Sequence, residues 1–178
     1  NTIVHNASIL GAGLLARYTR IISSNDYDSI IEKATNYLIA HQHENGAWVY
    51  AQTNYQGWID SFHTGFNLFS LRYIQQKLNQ NNIDESIKLG ENFYRNTFFL
   101  EDGSPKYFHN KIYPFDVHSS STALAYFSRY NENEDNEELN KKIFNWMNFE
   151  MRHEKGFYYF RKTRFFKNKI PYMRWIQA

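Results

Sequence analysis

Two kinds of hydrophobic pattern alternate along the chain. In DSIIEKATNYLIAHQ, residues 28–42, positions Ile30, Ile31, Ala34, Tyr37, Leu38 and His41 return at the three-to-four spacing of one helical face, with Glu32 and Lys33 elsewhere. NEELNKKIFNWM, residues 136–147, repeats the pattern through Leu139, Ile143, Trp146 and Met147. Both segments read as amphipathic outer helices. ASILGAGLLARY (7–18) and STALAYFSRY (121–130) are instead apolar or small nearly all round, as expected of inner helices with neighbours on several sides. Gly11, Ala12, Gly13, Ala123 and Ala125 would let such helices approach closely, at a propensity cost that packing must offset.

The two patterns recur together. LLARY, FSLRY and YFSRY close inner-helix patterns at Tyr18, Tyr73 and Tyr130, a period of about 55 residues. NYL, NFY and NWM follow in phase at Asn36, Asn92 and Asn145, then ENGAWVY, EDGSPKYF and HEKGFYYF around Gly46, Gly103 and Gly156. Each repeat reads as helix, helix, glycine turn and short aromatic extended piece, at approximately 3–57, 58–112 and 113–169, with the start of a fourth at 170–178. Tetratricopeptide and ankyrin periods are too short for this. The predicted fold is all-α: a single partial domain of about three helical hairpins forming an arc of an α/α toroid. Its aromatic connectors would lead back to the next inner helix and gather unusual residues at one ring face.

The inner-helix starts do carry unusual residues. They are His5 and Asn6 in IVHNAS; Trp58, Asp60 and His63 in GWIDSFHTG; Tyr113, Asp116 and His118 in YPFDVHSSS; and Tyr172, Arg174 and Trp175 in IPYMRWIQA. Asp60 and Asp116 are placed to cap helices, where a carboxylate accepts orphan N–H bonds, and a carboxylate facing a cleft there keeps its acid/base chemistry. His63 and His118 fit either core histidines bonded to neighbouring turns or general acid/base groups. His41 and His43 form an HxH pair without a third ligand, so no metal site is expected. Lys106, Tyr107 and Lys111, with Arg161, Lys162, Arg164, Lys167 and Lys169 in the last connector, interleave cations with aromatics. Such stretches are either solvated loops or a groove for an acidic polymer.

Composition narrows the field. The 20 Lys+Arg and 18 Asp+Glu leave a net charge of +2, without the single-sign field of a nucleic-acid binder. With no cysteine there is no disulfide or thiolate zinc site, and any redox compartment is compatible. No apolar run approaches the roughly 20 residues of a membrane span, and the start lacks a basic segment with an apolar core, so a soluble, cytoplasmic protein is expected. A chain beginning at Asn1 and stopping at RWIQA is expected to be part of a longer protein. Aromatics at 19% exceed what a core of this size needs, so some are expected on a surface or groove.

The combination NASILGAGLLARY, GWIDSFHTGFNL, FFLEDGSPKYFHNKIYPFDVHSSS and NKIPYMRWIQA resembles, across essentially the whole chain, a bacterial family of α/α-toroid, six-hairpin glycosidase-like proteins. That family is associated with lipopolysaccharide, capsule or exopolysaccharide biosynthesis. The resemblance implies a carbohydrate setting and carries over Trp58, Asp60, His63, Lys106, Tyr107, Tyr113, Asp116, His118, Arg174 and Trp175. Some relatives bear the label delta-aminolevulinic acid dehydratase, but that chemistry uses a β/α barrel with Schiff-base lysines, unlike this helical period. Toroid prenyltransferases and lanthionine cyclases need a cysteine ligand, and terpene cyclases a DxDD-type motif, neither of which occurs here.

Three functions follow for a protein acting on a bacterial surface polysaccharide or its precursor. A glycoside hydrolase would use Asp60 and Asp116 as acid and base or nucleophile. A uronate lyase or epimerase would use His63 or His118 with Tyr113 for proton transfer, and Arg174 or Lys106 to neutralise the sugar carboxylate. A noncatalytic glycan-binding or assembly module would only hold polymer. Candidate catalytic residues are Asp60, His63, Asp116 and His118; candidate substrate-binding residues are Trp58, Lys106, Tyr107, Tyr113, Arg174 and Trp175. No motif demands a cofactor, calcium held by carboxylates and carbonyls staying open. The expected partner is an oligo- or polysaccharide of neutral or acidic type, and two copies are expected to pair through exposed hairpin edges.

Overall fold

The computed structural model describes residues 4–130 and 134–172. Among them six α-helices follow one another: α1 (His5–Ile21), α2 (Asp28–Ala40), α3 (Ser61–Leu78), α4 (Asn81–Phe98), α5 (Val117–Arg129) and α6 (Glu134–Trp146), the last running into a π-helical turn at Met147–Met151. Three two-residue strands, β1 (Phe115–Asp116), β2 (Arg161–Lys162) and β3 (Lys167–Asn168), form an antiparallel sheet in the order β1-β2-β3. Repeated helical hairpins with short extended connectors are thus the observed class. The hydrophobic pattern did not reveal that the last connector folds back on itself, pairing Lys162 with Lys167 and setting Arg161 opposite Asp116. The chain divides into two compact units, Asn1–Asn96 and Thr97–Ala178.

In the first unit α1 lies against α2 and α3. α1 buries Ile9, Ala12, Gly13, Ala16 and Thr19. A Cβ at Gly13 would come within 3.2 Å of the Ser70 Cα, so hydrogen at this position sets how near α1 and α3 approach. Gly11, expected to serve the same end, faces open space. α1 also departs from its expected surroundings, because its other side leaves Leu14 67% and Ile21 81% exposed. α3 does match an inner helix, burying Leu68, Leu71 and Ile74 together with the polar Thr64, Asn67 and Ser70. The Thr64 and Ser70 hydroxyls donate to carbonyls four residues back, which lets a buried helix carry them. Buried Arg72 donates to Glu91 at 2.7 Å, so the charge taken inside is matched.

After each outer helix comes the same turn. His43 N–H donates to the Ala47 carbonyl (2.9 Å) and Gly46 N–H to His43 (2.8 Å); Leu100 donates to Ser104 (3.1 Å) and Gly103 to Leu100 (2.9 Å); His153 donates to Phe157 (2.8 Å) and Gly156 to His153 (2.9 Å). The glycines sit at φ of 90°, 85° and 91°, where a side chain is strained. Gly46 and Gly103 are further constrained, since a Cβ would lie 2.2 Å from the Leu89 carbonyl oxygen of α4 and 2.3 Å from the Lys142 carbonyl carbon of α6. Just past the first turn, Trp48 donates its indole N–H to the Leu38 carbonyl at 3.1 Å and lays its ring over Gly90 of α4.

In the second unit α5 packs on α6 and on the π-helical turn. Phe115, Val117, Trp146, Met147 and Met151 form a core cluster, with Tyr113, Leu124 and the 158–160 aromatics packed against it. The aromatic extended piece at 158–160 therefore belongs to packing.

Replacing Gly90 tests the first unit. Alanine favours helix by about 1 kcal/mol over glycine, but its Cβ would lie 2.6 Å from the Trp48 ring and 3.0 Å from Leu68. We expect Gly90→Ala to lose about 1–3 kcal/mol net. In guanidinium chloride unfolding this lowers the midpoint at unchanged slope, and a raised midpoint would mean that the ring yields.

Candidate functional site

The connector after the first glycine turn joins two helix starts. The Tyr50 carbonyl accepts from the His5 N–H at the beginning of α1 (3.2 Å), while the Tyr50 N–H donates to the Trp58 carbonyl on the approach to α3 (2.8 Å). The starts of α1 and α3 thereby meet around one tyrosine. Its ring stacks on Trp58 at 4.6 Å and 10°, and touches the His63 ring at a centroid distance of 4.6 Å. Tyr50 was not among the sequence candidates. The signal was present, because Tyr50 follows Gly46 by the same offset at which Tyr107, a candidate, follows Gly103.

Asp60 is the N-cap of α3 and is buried. Its Oδ1 accepts the His63 backbone N–H at 3.0 Å; its Oδ2 accepts the Trp58 indole N–H at 2.9 Å and lies 2.6 Å from His63 Nδ1. A carboxylate oxygen accepts, so Nδ1 is the donor in this pair and Nε2 is the ring nitrogen left out of it. The His63 side chain is 18% exposed, and its Nε2 bonds to none of the described residues. Capping and chemistry are therefore not alternatives at Asp60: the carboxylate that satisfies the helix start also orients an imidazole.

The second unit builds a different arrangement at its helix start. Asp116 caps α5, Oδ1 accepting the His118 N–H at 2.9 Å, while Oδ2 accepts from Arg161 Nε and Nη2, each at 3.0 Å. Burial pushes the Asp116 carboxyl above its ordinary pKa, against the downward pull of Arg161 and the His118 N–H. The Arg161 guanidinium lies 4.8 Å above the Tyr107 ring and 4.8 Å from that of Phe160. Arg161 was read only as part of a basic stretch; its partner is 45 residues away, and the strand pairing that joins them is invisible to periodicity.

Among the other candidates, the Lys106 ammonium donates to the His109 carbonyl at 3.1 Å, and burial lowers its pKa. Tyr113 rests on Phe115 at 4.8 Å and joins the core cluster. His118 is half-buried in the first turn of α5. Arg174 and Trp175 lie outside the described residues. Since both Asp60 and Asp116 have partners on each oxygen, using them as acid and nucleophile would require both caps to open first. His41 turns Nδ1 to the Tyr37 carbonyl at 2.8 Å, and among the described residues no group of three or more His, Asp or Glu is placed to hold a metal ion.

Comparison with known proteins shows the fold. No protein-family model and no curated protein matches the chain. Among solved structures, the unsaturated glucuronyl hydrolase of Bacillus sp. GL1, responsible for glycosaminoglycan degradation, aligns at a TM-score of 0.69 and 12% identity over 91% of this chain and 55% of its own. A family 105 glycoside hydrolase of Clostridium acetobutylicum gives 0.66 and 12% over 89% and 52%. The α-1,6-mannanase of Salegentibacter sp. gives 0.67 and 14% over 93% and 48%. These are α/α toroids, and the chain shares their helical-hairpin fold while spanning about half their length.

One histidine beside the site yields a pH prediction. His5 is buried, with Nε2 at 2.8 Å from the Gln52 amide nitrogen and its ring 5.5 Å from that of His41; burial, then His41, lowers its pKa from 6.5 to about 4. The unfolded chain takes up the proton first. Stability owed to His5 is therefore constant above pH 6.5 and falls as the pH drops towards 4. The wild-type unfolding free energy should fall more steeply than that of His5→Gln across this window, by up to about 1.4 kcal/mol per pH unit. Parallel slopes in urea titrations would refute the assignment.

Proposed function

We propose that the chain is a carbohydrate-active protein acting on a bacterial surface polysaccharide or its precursor, with a sugar held against the Tyr50–Trp58 pair and His63 as the proton-transferring group. One observation carries this reading: a single oxygen of buried Asp60 holds both the Trp58 indole (2.9 Å) and His63 Nδ1 (2.6 Å). The binding platform and the base thus share one anchor. Oriented in this way, Nε2 suits abstraction of the proton beside a uronate carboxylate, as in a lyase or epimerase. In elimination the C–H electron pair forms the new double bond while the glycosidic oxygen departs with its electrons. Asp60 is a positioning residue in this scheme, since it reaches substrate only through His63 and Trp58. The fold shared with glycoside hydrolases and the resemblance to polysaccharide-biosynthesis proteins support the substrate class.

A noncatalytic glycan-binding module is the second reading, favoured by the fact that both oxygens of Asp60 and of Asp116 are already hydrogen-bonded within the protein, so neither carboxylate is held ready for a substrate. Two variants separate the readings. Trp58→Ala should weaken oligosaccharide binding at least about tenfold in ligand-observed NMR, the loss of one stacking ring being worth about 1.4 kcal/mol. His63→Gln should keep binding but lower turnover by about 10² or more, read as ultraviolet-absorbing unsaturated product or solvent deuterium entering the sugar. Binding with no turnover by wild type on uronate polymers would select the module, and binding indifferent to Trp58 would remove the site.

A further inference from the structure

The β2–β3 hairpin has a feature that neither glycan reading uses. Its turn at 163–166 is closed by the Thr163 N–H on the Phe166 carbonyl (2.9 Å) and by the Phe166 N–H on the Thr163 hydroxyl (3.2 Å). This ordered turn leaves Phe165 87% and Phe166 64% exposed. The segment 157–172 carries Arg161, Lys162, Arg164, Lys167 and Lys169 and no acidic residue. Arg161 is matched by Asp116, and Lys162 and Lys167 share the one carboxylate of Glu150 at 2.6 and 3.0 Å. Among the described residues Arg164 and Lys169 have no carboxylate partner; both are exposed, Arg164 lying 5.4 Å over the Phe165 ring and Lys169 5.8 Å over that of Tyr159, so the hairpin holds excess positive charge around two solvent-exposed rings.

A sugar platform of this chain looks different. Tyr50 and Trp58 stack on each other, and the Trp58 indole N–H is hydrogen-bonded. Phenylalanine has no polar edge with which to bond a sugar hydroxyl. Apolar side chains displayed with cations match a bilayer surface, where rings enter the headgroup and acyl boundary and cations meet anionic lipids. We propose that the turn at 163–166 is a membrane-surface anchor, seating Phe165 and Phe166 in the interface of an anionic bilayer while Arg164 and Lys169 hold its headgroups.

Vesicle sedimentation of the 178-residue chain tests this anchor. The probes are phosphatidylcholine vesicles, alone and with about a third phosphatidylglycerol. Binding to the anionic vesicles should exceed binding to the neutral ones by about tenfold or more and weaken with salt. The double substitution Phe165→Ala with Phe166→Ala, which keeps every charge, should reduce binding about tenfold, and so should Arg164→Glu with Lys169→Glu. Unchanged thermal unfolding confirms that both variants fold. The anchor is overturned by no binding to either vesicle, or by vesicle binding indifferent to the phenylalanines. It is also overturned if soluble polygalacturonate, rather than vesicles, loses binding with Phe165 and Phe166, which would make the tip an acidic-glycan contact. None of these results depends on turnover at His63.

Discussion

A carboxylate removed from water must find donors for its oxygens or give up its charge. Asp60 and Asp116 stand under that constraint, and much of each unit's chemistry follows from how it is met. Both use the free N–H groups of a helix start for one oxygen. For the other they draw in a neighbour, Trp58 with His63 in one unit and Arg161 in the other. The first solution leaves an oriented imidazole; the second ties up a cation and stacks it over Tyr107. Equivalent caps thus give unlike electrostatics.

The connectors make these solutions possible. Tyr50 stacks on Trp58 where its backbone bridges the starts of α1 and α3, and that bridge begins four residues after a glycine that lies against Leu89 of α4. In the second unit a strand register, rather than a bridging tyrosine, delivers the partner. There the short sheet rests on aromatic packing around Phe115 and Trp146, which fixes the level at which Arg161 meets Asp116.

Helix existence and the glycine turns were legible in the sequence because they depend on local signals: the spacing of Ile31 and Leu38, although Ile30, read onto the same face, is exposed, and glycines at matching places in each repeat. Asp60 and His63 were legible as candidates for the same reason, three residues apart at a helix start. What could not be read was pairing over distance. Nothing near Arg161 announces Asp116, and nothing in VYAQ announces that Tyr50 will stack on a tryptophan eight residues on. The exposed side of α1 escaped notice because apolar composition reports what a helix could bury, not whether a neighbour is present.

The glycine turns also bear on how such a chain diversifies. Each closes its hydrogen bonds within five consecutive residues. A gene duplication that copies one hairpin therefore copies a finished joint, which asks nothing of the hairpin before it. Selection is then free to act on the residues just beyond the joint. Tyr50, Tyr107 and Phe160 each stand four places past their glycine, yet the first stacks on Trp58 while the other two face the Arg161 guanidinium.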